Sequence, residues 1–166
     1  SCASISDDMY KRTVTINGLS KSVAMTGWRF GYMAAADTEL VKATKKLQSQ
    51  STSNINSITQ YAAIAGLDGS ADADIAMMKK AFVQRRDEAV KLINEIEGLS
   101  VLKPDGAFYL FVNTKEITQD TLTFAKELLD KKLVAVVPGE AFGTPGYFRL
   151  SFETDLDTIR EGIKRI

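Results

Sequence analysis

Two cationic side chains stand eight positions apart in the run Asn17-Gly18-Leu19-Ser20-Lys21-Ser22-Val23-Ala24-Met25-Thr26-Gly27-Trp28-Arg29-Phe30-Gly31-Tyr32. Lys21 follows the end of a stretch rich in β-branched residues and sits among small residues. Arg29 sits between Gly27 and Gly31, where a glycine lets the backbone approach a ligand closely. A lysine that acts as an amine nucleophile must be neutral part of the time, which takes burial or a neighbouring cation to lower its pKa. An arginine offers a planar fork of donors that suits a phosphate. Lysine plus arginine around small residues therefore suits a ligand carrying both an aldehyde and a phosphate.

The other usual routes to catalysis are closed. The 166 residues contain no histidine, which removes Ser-His-Asp and Cys-His nucleophile pairs and histidine-ligated zinc. Chemistry must rest on Lys, Arg, Asp, Glu, Tyr, Ser or a borrowed cofactor. Lys plus Arg is 21 and Asp plus Glu is 21, so the formal net charge is zero. This argues against a nucleic-acid binder, which needs a basic face. The chain is 45% hydrophobic and 25% charged, an ordinary globular balance. No apolar run approaches the ~20 residues that span a membrane. The single cysteine, Cys2, allows no internal disulfide and fits a reducing, cytoplasmic compartment.

The elements that must hold these residues follow from pattern. Residues 12–17 and 28–36 read as strands. Asp37 is a helix cap, with Leu40, Thr44 and Leu47 on one face of a helix to about residue 50. Ile58, Tyr61, Ala62 and Ala65 suggest a short helix. From Asp72 to Glu97 runs the longest helical pattern, with Ile75, Met78, Phe82, Ala89, Ile93 and Ile96 at steps of three and four and Arg86 in the missing slot. Such a helix is about 39 Å long and is expected to connect two lobes. Beyond Gly98 the pattern becomes β-β-α-β-β-α. Strands are read at 99–102, 107–113, 133–137 and 147–152, and helices open at Asp120 and Asp155. In Tyr147-Phe148-Arg149-Leu150-Ser151-Phe152 the alternation puts Phe148, Leu150 and Phe152 on one face. That leaves Arg149 facing a polar space, or paired with Glu153 or Asp155. The fold class is α/β, with an α+β lobe at the C-terminal end.

The segment around Lys21 closely resembles the lysine segment of fold-type I, class I/II aminotransferases of the aspartate aminotransferase type. The family pattern is a small residue, an apolar residue, Ser or Ala, Lys, then Gly-x-Arg-x-Gly. It falls on Gly18, Leu19, Ser20, Lys21, Gly27, Arg29 and Gly31. The resemblance implies pyridoxal 5'-phosphate as cofactor. It implies that Lys21 holds the cofactor covalently and moves the proton, and that Arg29 binds its phosphate with Ser20 as a helper. The Arg-x-Ser of Arg149 and Ser151, preceded by the loop Pro138-Gly139-Glu140-Ala141-Phe142-Gly143, is similar to the family's substrate segment. It implies Arg149 as the ligand of the substrate α-carboxylate. Three departures touch the phosphate site: Gly18 replaces a common serine, Val23 a common aromatic residue, and Phe30 a smaller aliphatic one.

The implied partners are an amino acid, a 2-oxo acid and a second copy of the chain in a homodimer. The family's carboxylate at the cofactor ring nitrogen, and its tyrosine, asparagine and stacking aromatic residue, lie further upstream of the lysine than these residues reach. Asp7, Asp8 and Tyr10 are therefore given no such role. The expected organisation is a remnant of the large cofactor domain (1–71), a connecting helix (72–98) and a small α/β domain (99–166). The segment is expected to be the C-terminal portion of such an enzyme, unable to turn over by itself. Its first two strands should lack sheet partners and be frayed, paired with each other or covered by a neighbour. Two alternatives stay open: an elimination or decarboxylation on the same cofactor, since fold does not fix which bond breaks, or a non-catalytic binding module.

Overall fold

The computed structural model describes residues 1–166, which divide into two compact units, Ser1–Ala76 and Met77–Ile166.

In the first unit, helix α1 (Asp7–Arg12) starts where the Ser6 hydroxyl accepts from Met9 N, and it ends against strand β1 (Val14–Gly18). The strand pattern at 12–17 thus begins later than its β-branched run suggests. β1 pairs antiparallel with β2 (Gly31–Ala35), from Val14 opposite Ala35 to Gly18 opposite Gly31. The two form a sheet of their own, so the strands expected to lack partners pair with each other. Between them lie one helical turn, α2 (Leu19–Ser22), and a tight 3-10 turn, Thr26–Trp28. That turn, with Arg29 behind it, takes the first residues of the strand read at 28–36.

Helix α3 (Thr38–Ser51) starts as expected, with Asp37 Oδ1 accepting from Glu39 N and Leu40 N at 2.9 and 3.0 Å. Its Leu40–Leu47 face is not buried. In helix α4 (Ser57–Leu67) the buried side chains are Thr59 and Ala63, while Ile58 and Tyr61 are more than 70% exposed. The core of this unit is small: Leu19, Met25 and Ala63, flanked by Val23, Phe30 and Ala62. It uses the small side of α4 because the Lys21 loop packs tightly there. A Cβ on Gly66 would come 3.2 Å from Val23 Cγ2.

Helix α5 (Asp72–Asn94) opens before the division between the units and continues well into the second. It is about 34 Å long at ~1.5 Å per residue. It stops at Asn94, short of Glu97, because that side chain turns to the following segment. Asn94 Oδ1 accepts from Val101 N at 2.8 Å and Asn94 Nδ2 donates to Val101 O at 3.1 Å. One side chain thereby satisfies both backbone groups of Val101. The strand expected at 99–102 is reduced to a single bridge between Ser100 and Asn113. Arg86 does take the missing slot of the apolar stripe: its Nη1 donates to Pro104 O at 3.2 Å and pins the 103–106 turn.

Strand β3 (Tyr109–Asn113), the two-residue β4 (Val137–Pro138) and β5 (Tyr147–Ser151) form an antiparallel sheet in the order β3-β5-β4. Helix α6 (Thr121–Glu127) is capped by Asp120 and passes into a π turn, Leu128–Lys132. Leu133 ends that turn in a left-handed conformation (φ 58°), so the strand expected from 133 pairs only from Val137. Helix α7 (Leu156–Lys164) is capped by Asp155, whose Oδ1 accepts from Thr158 N at 2.9 Å. One face of the sheet carries the core: Leu110, Val112, Phe148, Leu150 and the following Phe152 pack with Ala89 and Ile93 of α5 and Ile159 and Ile163 of α7. Arg160 of α7 reaches Glu88 of α5 through Nε at 2.9 Å.

No helix is long and apolar enough to cross a membrane.

Candidate functional site

Ser20, Lys21 and Arg29 lie in one loop of the first unit, tied down at several points. The loop's base is closed by Leu19 N donating to Phe30 O at 3.3 Å, and its middle by Met25 N donating to Leu19 O at 3.2 Å. Leu19 and Met25 are buried, so the backbone on either side of Lys21 is anchored in the core. Lys21 occupies the third position of α2 and its side chain is exposed; Ser20, beside it, is half-buried. The residue that joins the lysine turn to the arginine is Thr26. Its hydroxyl donates to Ser20 O at 2.7 Å, and its carbonyl accepts from Arg29 Nη1 at 3.0 Å.

Arg29 adopts a left-handed backbone, φ 55° and ψ 45°, and so does Ala24, φ 55°. Two of the five non-glycine residues with positive φ therefore fall in this loop. Each costs about 1–2 kcal/mol for an L-residue, strain that persists only where the surroundings over-determine it. The guanidinium is exposed and borders an open hollow of about 1150 Å³, shared with Gly27, Trp28 and Asn54. Lys21 and Ser20 do not line that hollow.

The donor set fits pyridoxal phosphate by its chemistry. A primary amine and a guanidinium, both exposed, stand on one hydrogen-bonded loop. A Cβ on Gly27, which lines the hollow beside Arg29, would meet nothing within 4 Å, so the backbone next to the guanidinium is open to a ligand.

Arg149 belongs to the second unit, on the central strand β5 opposite Phe111 of β3 and Val137 of β4. The expected alternation holds: Phe148 and Leu150 are buried in the core while Tyr147 and Arg149 are half-buried on the other face. That face is aromatic rather than polar. Arg149 Cζ lies 4.3 Å from the centre of the Tyr109 ring and 4.8 Å from that of Phe142. Phe111 stacks on Tyr147 with centroids 5.0 Å apart and meets Phe142 edge-on at 5.8 Å. The guanidinium meets these two rings, while Asp155, the alternative partner, accepts from Thr158 at the start of α7.

The 138–143 loop is held in place from two sides. Glu140 accepts from the Thr121 hydroxyl at 2.5 Å and from Thr121 N at 3.1 Å, at the start of α6. The Thr121 hydroxyl holds the Glu140 carboxyl below the usual carboxylate range. Gly139 is buried against backbone, and Phe142 closes the short 3-10 turn that delivers its ring to Arg149.

Sequence reasoning singled out neither Thr26 nor the roles of Tyr109 and Phe142. Thr26 lies inside the quoted motif without a spacing signal of its own. Tyr109 and Phe142 are 40 and 7 residues from Arg149, and strand register for the one and the 139–142 turn for the other bring them together.

The model of the family described as aminotransferase class I and II matches residues 2–166. The chain is 47% identical over 171 residues to the aspartate aminotransferase of Bacillus subtilis (strain 168), covering 100% of this chain and 43% of that protein. It is 42% identical over 168 residues to a probable aspartate/prephenate aminotransferase of Aquifex aeolicus (strain VF5), covering 99% of this chain and 42% of that protein. The crystal structure of the aspartate aminotransferase from Rhizobium meliloti superposes with a TM-score of 0.90 at 38% identity, over 96% of this chain and 42% of that one. The chain thus spans less than half the length of these relatives. Lysine segment, fold and family model point the same way, and the chain belongs to the aminotransferase class I and II family.

Proposed function

We propose that the full-length protein carrying this segment transfers an amino group from an L-amino acid to a 2-oxo acid, using pyridoxal 5'-phosphate. The observation that carries the proposal is the loop in which Thr26 links the turn of Lys21 to Arg29. When bound, the cofactor supplies an electron sink for the pair left at the substrate Cα. Lys21 Nζ would hold the cofactor before substrate arrives and, once displaced, would carry the proton from the substrate Cα to the cofactor's aldehyde-derived carbon. Arg29 presents its guanidinium edge to the phosphate, and the Ser20 hydroxyl assists. Arg149 forks onto the α-carboxylate shared by the amino acid and the 2-oxo acid. The relatives' names span aspartate, asparagine and prephenate reactions, so the proposal stops at the class of donor.

We propose further that 1–71 belongs to the large cofactor domain, that 72–98 connects it and that 99–166 is the small domain. The enzyme is proposed to be a cytoplasmic homodimer. Exposed Ile16, Ile58 and Tyr61 are apolar surface that association would cover.

The test is spectroscopic. Adding pyridoxal phosphate to the full-length protein should produce the visible absorption band of lysine-bound cofactor, and Lys21→Ala should abolish it. A band that survives in Lys21→Ala refutes the assignment of Lys21. Product analysis with amino acid and 2-oxo acid pairs then separates transfer from elimination or decarboxylation.

A further inference from the structure

We infer that Tyr109 and Phe142 are positioning residues for Arg149, flanking its guanidinium so that only the donor-bearing edge is offered to a carboxylate. The inference rests on the reading of Arg149 as the α-carboxylate ligand and adds what makes that ligand rigid. An arginine side chain carries large rotamer entropy, which binding must otherwise remove. Here the ring centres lie 4.3 and 4.8 Å from Cζ, both well inside the ~6 Å reach of a cation–π contact. Ring faces attract the cation without using its N–H groups, which stay available for a fork-shaped pair of hydrogen bonds.

The clamp is itself supported. Tyr109 rests on Phe108, centroids 4.7 Å apart, and Phe142 packs edge-on against Phe111, which stacks on Tyr147. Glu140, bound to Thr121, fixes the turn that ends in Phe142. Because the α-carboxylate is common to both substrates, the clamp serves both half-reactions. It acts equally before and during the chemical step, so its loss should appear in KM and not in kcat.

The experiment is steady-state kinetics on the full-length holoenzyme with Tyr109→Leu, Phe142→Leu, Tyr109→Phe and Arg149→Lys. Tyr109→Leu and Phe142→Leu should each raise KM for the amino acid and for the 2-oxo acid about 2- to 30-fold, with kcat held. Tyr109→Phe keeps the ring and should restore the original KM; Phe142 is 44% exposed, so Phe142→Leu tests the clamp even where Tyr109→Leu misfolds. Arg149→Lys raising KM while both leucine variants leave it unchanged would overturn the clamp and spare the role of Arg149. Arg149→Lys leaving KM unchanged would overturn the reading of Arg149 itself. A loss in kcat alone, or equal damage from Tyr109→Phe and Tyr109→Leu, also overturns the clamp.

Discussion

Gly139 is the position where a single methyl should do the most damage to the Arg149 site. A Cβ there would lie 2.1 Å from Thr144 O and 2.5 Å from Tyr147 O, both backbone atoms. Ordinary contact begins near about 3.4 Å, so those carbonyls must retreat by about 1.3 and 0.9 Å. Neither can rotate away as a side chain would. Thr144 N donates to Gly139 O at 2.9 Å, and Tyr147 opens the strand that carries Arg149. Overpacking costs about 1–3 kcal/mol and more where backbone must move, so Gly139→Ala should cost about 3 kcal/mol or above.

Two other glycines calibrate the argument. Gly143 has nothing within 4 Å but a φ of +70°, so Gly143→Ala pays only the left-handed penalty of about 1–2 kcal/mol. Gly162 lies inside α7 with nothing within 4 Å, and Gly162→Ala should stabilise by about 1 kcal/mol through helix propensity. Native-state hydrogen exchange at the backbone amides of Leu110, Phe148 and Leu150 reads the stability of this unit directly. The expected order of stability is Gly162→Ala, wild type, Gly143→Ala, Gly139→Ala. Gly139→Ala proving no worse than Gly143→Ala would refute the steric reasoning.

Two further outcomes are expected. Asp155 has its pKa lowered from 3.8 to about 2, chiefly because Thr158 N donates to it at the start of α7. A depressed carboxylate stabilises the fold above its unfolded pKa and loses that contribution as protons bind, so the stabilisation should fade between pH 3.8 and about 2. Acid titration of wild type against Asp155→Ala, followed by circular dichroism, should show the variant without that step. At the Lys21 loop, Thr26→Val removes the hydroxyl that donates to Ser20 O. A net hydrogen bond of about 0.5–1.5 kcal/mol predicts pyridoxal phosphate binding weakened about 2- to 10-fold. Absorbance titration checks this, and unchanged affinity would show that the link between the two turns is dispensable.

Much of this was legible in the chain. Asp37, Asp120 and Asp155 cap helices as their positions suggest, because a cap needs only an acceptor two or three residues from an orphan N–H. Alternation in 147–152 assigned the core face correctly, since side chains on a strand alternate whatever the partner. The family pattern around Lys21 and Arg29 is carried by residue identity alone. Burial was less legible. The apolar faces read on α3 and α4 are largely exposed, because which side of a helix is buried depends on what packs there. The Lys21 loop chose the small side of α4.

Periodicity, capping chemistry and the spacing of Lys21 from Arg29 are local, and the amino-acid order determined them. The tertiary structure decided what distant residues do for one another. Asn94 replaces a strand partner for Val101. Arg149, free on sequence grounds to meet Glu153, Asp155 or a polar space, meets Tyr109 and Phe142. The reason is geometric. Which side chains face each other across a sheet is set by register and by the path of the loop between strands, and register is a property of the folded pair rather than of either strand.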